Sequence, residues 1–201
     1  MNEPVIFTMS RQFGTNGREI GRQLAKHLGI AYYDKEIMHD IANQMQMDAS
    51  FFEEDNRNDD GFFSISNRNF ALANMTEISL NSQLFEKSSE LIKDIATKES
   101  VIIVGRCSDY ILREQSNVIR VFFYSDIETR IQVAIQNHGI KAKKARKYVE
   151  MQDQKRSGFY EFYTQQTWGD PSNYDLMINT THISIPEAIA LLSAVYQAKA
   201  R

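Results

Sequence analysis

Between Ser10 and Glu19 the chain reads Ser-Arg-Gln-Phe-Gly-Thr-Asn-Gly-Arg-Glu, directly after the apolar run Val5–Met9. Gly14 and Gly17 let a main chain come close to a charged oxygen, and Arg11 and Arg18 place guanidinium groups on either side of them. The residues that follow have helical spacing: Ile20, Leu24 and Leu28 recur every fourth position, and Gly29 stands where a helix stops. Strand, glycine-bearing bend and helix start together make an anion cradle, because the first N–H groups of a helix lack internal partners and lie at its positive end. The chemistry this permits is the gripping of a phosphate by the amides from Gly14 through Thr15, Asn16 and Gly17 to Arg18. The same string also serves as a strand–turn–helix connection with no ligand.

Measured against the standard phosphate loop, G-x-x-x-x-G-K-[ST], the stretch is incomplete. In one register Gly17 falls where the lysine belongs and Arg18 where the magnesium-binding hydroxyl belongs. In the other, Arg18 takes the lysine position and Glu19 follows it. A carboxylate at Glu19 repels a bound triphosphate unless magnesium intervenes. Arginine is a planar fork and not a neutral substitute for the compact lysine ammonium.

Other residues able to do chemistry lie at the ends of further apolar runs. Asp34 follows Ala31–Tyr33, and Gly105-Arg106 follows Val101–Val104, with Asp109 a weaker candidate beyond Cys107. Lys141, Lys143, Lys144, Arg146 and Lys147 crowd the start of a helical segment that continues into Asp153-Gln154-Lys155-Arg156. A basic helical face of this kind is either solvated surface or a phosphate grip.

These residues need a scaffold, and the pattern supplies one. Val5–Met9, Ala31–Tyr33, Val101–Val104, Val118–Tyr124 and Leu176–Asn179 read as strands with helical patterns between them, which predicts an α/β domain on a parallel sheet. In such a sheet ligands gather beyond the carboxyl ends of the strands, where the candidates fall. Ser125-Asp126-Ile127-Glu128 and Ser184-Ile185-Pro186-Glu187 both read as capping boxes opening helices. Lys35–Gln46 and Phe70–Lys98 have helical spacing, and the acidic stretch between Phe51 and Phe63 reads as a solvated loop.

The chain has 201 residues, a formal net charge of −3 and one cysteine, Cys107. That length gives room for a single domain with a substantial core. The charge argues against a role in coating nucleic acid, and the lone cysteine excludes an internal disulfide or a thiolate metal cluster. The N-terminus has no signal-peptide pattern and no run is apolar enough for a membrane span, so the expectation is a cytoplasmic protein without a membrane partner. His27, His39, His138 and His182 lack metal-ligand spacing, and no metal ligand is assigned.

The stretch from Ser10 to Ile20, continued by Leu28-Gly29-Ile30-Ala31-Tyr32-Tyr33-Asp34, resembles the cytidylate kinase-like family, a divergent branch of the nucleoside-monophosphate kinases. Trp168-Gly169-Asp170-Pro171, Tyr174-Asp175-Leu176 and Ile178-Asn179-Thr180 resemble the same branch. The resemblance implies a P-loop NTPase-like three-layer fold with a five-stranded parallel sheet. Its core would be residues 1–34, 99–138 and 172–201, with a helical monophosphate-binding insert at 35–98 and a lid at 139–171. It implies ATP and Mg2+ as cofactors. Arg11, Gly14, Thr15, Asn16, Gly17, Arg18 and Glu19 would hold the donor, and Arg18, Arg146 and Arg156 would act on the moving phosphoryl. Asp34, Arg106 and Asp153 would face the acceptor. Trp168 would stack on a base or pack a loop end. Three activities fit: phosphoryl transfer from ATP to CMP or dCMP, transfer to another small molecule, or nucleotide binding without catalysis by a regulator on the same fold. Acceptor identity, base specificity and oligomeric state are not encoded in any motif found.

Overall fold

The computed structural model describes residues 3–34 and 75–200. The expected helix at Lys35–Gln46 and the acidic stretch between Phe51 and Phe63 lie outside the described residues. In chain order the elements are β1 (Ile6–Arg11), α1 (Gly17–Leu28), β2 (Ala31–Tyr33), α2 (Met75–Lys98), β3 (Val101–Val104), α3 (Ser108–Ile111) and β4 (Val118–Tyr124). There follow α4 (Ile127–His138), α5 (Ala142–Thr164), a 3-10 turn (Pro171–Asn173), β5 (Leu176–Asn179) and α6 (Ile185–Lys199).

The strands form one parallel sheet in the order β2-β3-β1-β4-β5. Parallel strands are covered on both faces, so their apolar residues run continuously instead of alternating with polar ones. Ile6, Val101 and Ile103 pack on one side with Ile92 and Ala96 of α2 and Phe159 and Tyr160 of α5. Phe7, Met9, Ile102 and Val121 pack on the other with Ile20 and Leu24 of α1 and Leu192 of α6. Full burial of each such side chain stabilises by about 1.5–3 kcal/mol, which fixes β1 at the centre of a three-layer α/β structure.

Four of the five strands begin and end at the predicted residues. β1 runs two positions beyond Met9, because the long β4 still offers partners: Ser10 pairs with Phe122 and Arg11 with Phe123. Arg11 is therefore a strand residue on a rigid base and not part of the bend. The capping box at Ser184 forms, with the Ser184 amide donating to Glu187 Oε2 at 2.8 Å. The one expected at Ser125 does not. Asp126 takes the N-cap position of α4 without a side-chain capping bond, the Ser125 hydroxyl lies 2.8 Å from that of Thr181, and Glu128 pairs with Arg146.

The bend after β1 is closed by packing against α4. Gly14 has φ +82, and a Cβ there would lie 2.7 Å from the Arg130 carbonyl oxygen. Gly14→Ala is expected to destabilise the protein by about 2 kcal/mol, read as a lowered urea midpoint with an unchanged slope.

Candidate functional site

The first turn of α1 presents the amides of Gly17, Arg18 and Glu19, which have no acceptor inside the helix. Asn16, at φ 57, turns the chain into that helix from the left-handed region. Gly17 is required by contact: a Cβ there would lie 2.9 Å from the Phe123 ring. With Gly17 committed to packing, Arg18 is the residue whose side chain reaches the site. Its Nε lies 2.5 Å from Asp34 Oδ2, so a donor-side candidate and an acceptor-side candidate form one ion pair. Thr15 spends its hydroxyl proton on the Gln12 carbonyl at 2.9 Å. Glu19 turns back onto its own helix, and its hydrogen bonds to Arg22 and then Gln23 hold its carboxyl below the usual range.

A cavity of about 370 Å3 opens over this bend, lined by the residues from Arg11 at the end of β1 to Glu19 in the first turn of α1 and by Asn137, His138, Arg156 and Ile185. His138, which its sequence spacing left unassigned, closes one wall with its ring 4.8 Å from the buried Phe13 ring. No spacing rule marks it, because it reaches the site from the last turn of α4.

A smaller crevice lies beyond the ends of β1 and β3, lined by Ser10, Arg11, Arg106, Arg156, Tyr160 and Trp168, among others. Arg106 enters it from a turn of unusual shape: Gly105, Arg106 and Cys107 have φ of 74, 61 and 54 in succession. Two consecutive non-glycine residues in the left-handed region cost free energy, and such strain persists where a side chain must point in one direction. Trp168 stands edge-on to Phe122 at 5.2 Å while lining the crevice, so it packs a loop end and also faces the site.

Arg11 and Arg156 line both spaces. Arg156, buried on α5, donates from Nη1 to the Arg11 carbonyl at 3.1 Å, and its guanidinium lies over Phe13. Asp153, one turn earlier, accepts from the Phe13 amide at 2.7 Å and pairs with the buried Arg130 of α4. Asp153 thus holds the bend itself in this structure. Arg146 is exposed, paired with Glu128 and Glu150, and lines neither space. Nothing in the sequence marks the helical Arg130 as buried.

Beneath the crevice lies Asp109, 2 % exposed. Burial pushes its carboxyl up to about 6, against smaller opposing effects from Tyr160, its own backbone, Ser10 and Arg120. Burial likewise raises the Cys107 thiol well above its ordinary value, so that side chain is an inert core group. Because the folded state holds the Asp109 proton more tightly than the unfolded chain does, stability is expected to fall as pH rises from about 4 to about 6, by at most about 3 kcal/mol. Asp109→Asn removes that slope, which urea titrations across this window would measure.

Comparison with known proteins agrees with the fold. The family model described as "Cytidylate kinase-like family" matches residues 6–182. No curated protein matches the sequence. An uncharacterized protein from Eubacterium ventriosum ATCC 27560 superposes with a TM-score of 0.72 at 22 % identity, over 96 % of this chain and 98 % of that one. Shikimate kinase from Bacteroides thetaiotaomicron superposes with a TM-score of 0.54 at 13 % identity, over 96 % and 98 %. A gluconokinase from Sinorhizobium meliloti 1021 gives 0.51 at 9 %, over 98 % and 97 %. Among the described residues no helix is long and apolar enough to cross a membrane.

Proposed function

This chain belongs to the cytidylate kinase-like family, and on that premise we propose that it is a phosphotransferase moving the γ-phosphoryl of ATP to a small anionic acceptor, with CMP or dCMP the first candidates. The observation that carries this reading is the sharing of Arg11 and Arg156 between the cavity over the bend and the crevice at Arg106. A phosphoryl passing from one space to the other travels along those two guanidinium groups. Phosphoryl transfer asks little covalent help of a protein; it asks for alignment and positive charge around the moving group.

In this scheme the amides from Gly14 to Arg18 hold the donor phosphates, Arg18 supplies charge beside them, and Arg106 faces the acceptor, while Asp34, which lines neither space, holds Arg18 in place. The bond between the γ-phosphorus and the ADP oxygen breaks as a bond to an acceptor oxygen forms, and ADP departs. Among the described residues no three His, Cys, Asp or Glu side chains gather into a metal cage. Magnesium brought in with the nucleotide would supply charge neutralisation to the phosphates over the bend.

A second reading has its own support. Arg18 is engaged by Asp34, and Thr15 has given its proton to Gln12, so the bend lacks an uncommitted lysine-like cation and hydroxyl. A protein that binds nucleotide and does not turn it over has the same outline. Thermal-shift measurements with ATP, ADP, CMP and dCMP, each with and without Mg2+, followed by ADP-release assays, separate the two. The kinase reading expects shifts with ATP and with an acceptor, and magnesium-dependent ADP release when both are present. Shifts without release under any acceptor give the regulator, and no shift with any nucleotide removes both.

A further inference from the structure

The crevice has a polarity that its arginines alone do not explain. Asp109 is buried beneath it with no arginine or lysine within salt-bridge range among its described partners; instead it receives two hydroxyl protons. Tyr160 Oη donates to Oδ2 at 2.8 Å, and Ser10 Oγ donates to Oδ1 at 3.4 Å. These hydroxyls come from different elements, β1 and α5, and both residues line the crevice. A hydroxyl has one proton to give and lone pairs to spare. A carboxylate buried at this cost is explained if it fixes the direction of both.

We propose that Asp109 draws the Ser10 and Tyr160 protons inward, so that beside the arginines the crevice offers hydroxyl lone pairs, more of them than the single proton of the neighbouring Tyr174 hydroxyl can fill, and that the acceptor it takes is a small anion carrying a hydroxyl or amino hydrogen-bond donor next to its anionic group. This rests on the crevice being the acceptor site of the proposed transfer. The arginines take the anionic end, and the Ser10 and Tyr160 oxygens take the donor. A molecule with the same anion and an alkyl group in place of the donor leaves those oxygens unpaired.

Protonating Asp109 alters the arrangement in a defined way. The new O–H donates to Tyr160, whose own proton swings to Gln166 Oε1, 3.2 Å away. The Tyr160 lone pair is then occupied, and the preference for a donor falls. The groups facing Asp109 are Ser10 on β1, Tyr160 on α5, Tyr174 before β5, Arg120 on β4, and Cys107 on the turn before its own helix. Tyr160 and Tyr174 are pushed far up by burial and by Asp109 itself, so neither titrates in the same range. Asp109 thus acts as a positioning residue, working through the two hydroxyls.

The test is a pair of probes, 2-hydroxyethyl phosphate and ethyl phosphate, titrated calorimetrically into the intact protein at pH 8 and pH 5. At pH 8 the hydroxyl-bearing probe is expected to bind roughly tenfold more tightly. The ratio shrinks to within about twofold at pH 5, and likewise at pH 8 in Asp109→Asn and in Tyr160→Phe. Ethyl phosphate affinity changes little in either variant, which a general loss of structure would not allow. Equal binding of both probes to the unaltered protein at pH 8 overturns this inference and leaves the anion site standing. Failure of both probes to bind overturns the acceptor-site reading as well. Should Asp109→Asn fail to fold, Tyr160→Phe decides alone, and a retained preference there overturns the proposal.

Discussion

Replacing Arg156 by alanine is expected to slow phosphoryl transfer by roughly 1,000-fold while weakening ATP binding far less, because an arginine supplied to the moving phosphoryl acts mainly on the transition state. The position gives that expectation its force. Arg156 lies on α5, faces both the cavity and the crevice, and is steadied by the Arg11 carbonyl and the Phe13 ring. Arg156→Lys is expected to recover little, since a point charge on a flexible stem does not reproduce a planar fork held against an aromatic face. Single-turnover measurement with labelled ATP, at a temperature well below the variant's unfolding midpoint, separates chemistry from stability. Transfer within tenfold of the unaltered protein would remove Arg156 from the reaction and return it to the framework.

The second large effect is on stability. Asp153→Ala is expected to cost about 4 kcal/mol, because it strands the buried Arg130 guanidinium and also frees the Phe13 amide that Asp153 accepts. For a chain of this size that is a fall of roughly 10 °C in Tm. Arg130→Met alone is expected to do comparable harm by leaving Asp153 uncompensated. The double variant Arg130→Met/Asp153→Leu should recover part of the loss, since an apolar pair carries no charge to bury. Additive losses in a thermal-melt cycle would mean that the two residues do not act as a pair. The cycle also bears on function: a bend released from α5 should bind nucleotide less tightly even where the fold survives.

Legibility in the sequence followed the physics of each feature. The strands were readable because a sheet covered on both faces demands unbroken apolar runs, as in Val101–Val104 and Val118–Tyr124. α1 was readable from Ile20, Leu24 and Gly29, since one helical face and one left-handed stop are local properties. The bend was visible through Gly14 and Gly17, although only the structure gives the reason for each: the Arg130 backbone against one and the Phe123 ring against the other. Partner choice was what local pattern could not give. Asp153 and Arg18 each carry a charge that the sequence read as facing a ligand, and in the structure each is engaged by another side chain, Arg130 and Asp34. Which of two opposite charges meets a protein partner and which meets a substrate depends on contacts across 16 and 23 positions of chain. Ser125 failed as a cap for the same reason, because a distant threonine competed for its hydroxyl.

The placement of β1 has a consequence for biogenesis. Ile6 is made well before its neighbours in the sheet, Val101 and Val118. The strand that leads into the Gly14–Gly17 bend therefore waits, unpaired along both edges and rich in Phe, Ile and Met, until synthesis has passed Val118. Late closure of such long-range pairings slows folding and exposes sticky nascent segments to one another. Recombinant yield of this protein should accordingly respond to slower translation or to added trigger-type chaperones more than to any change at its surface.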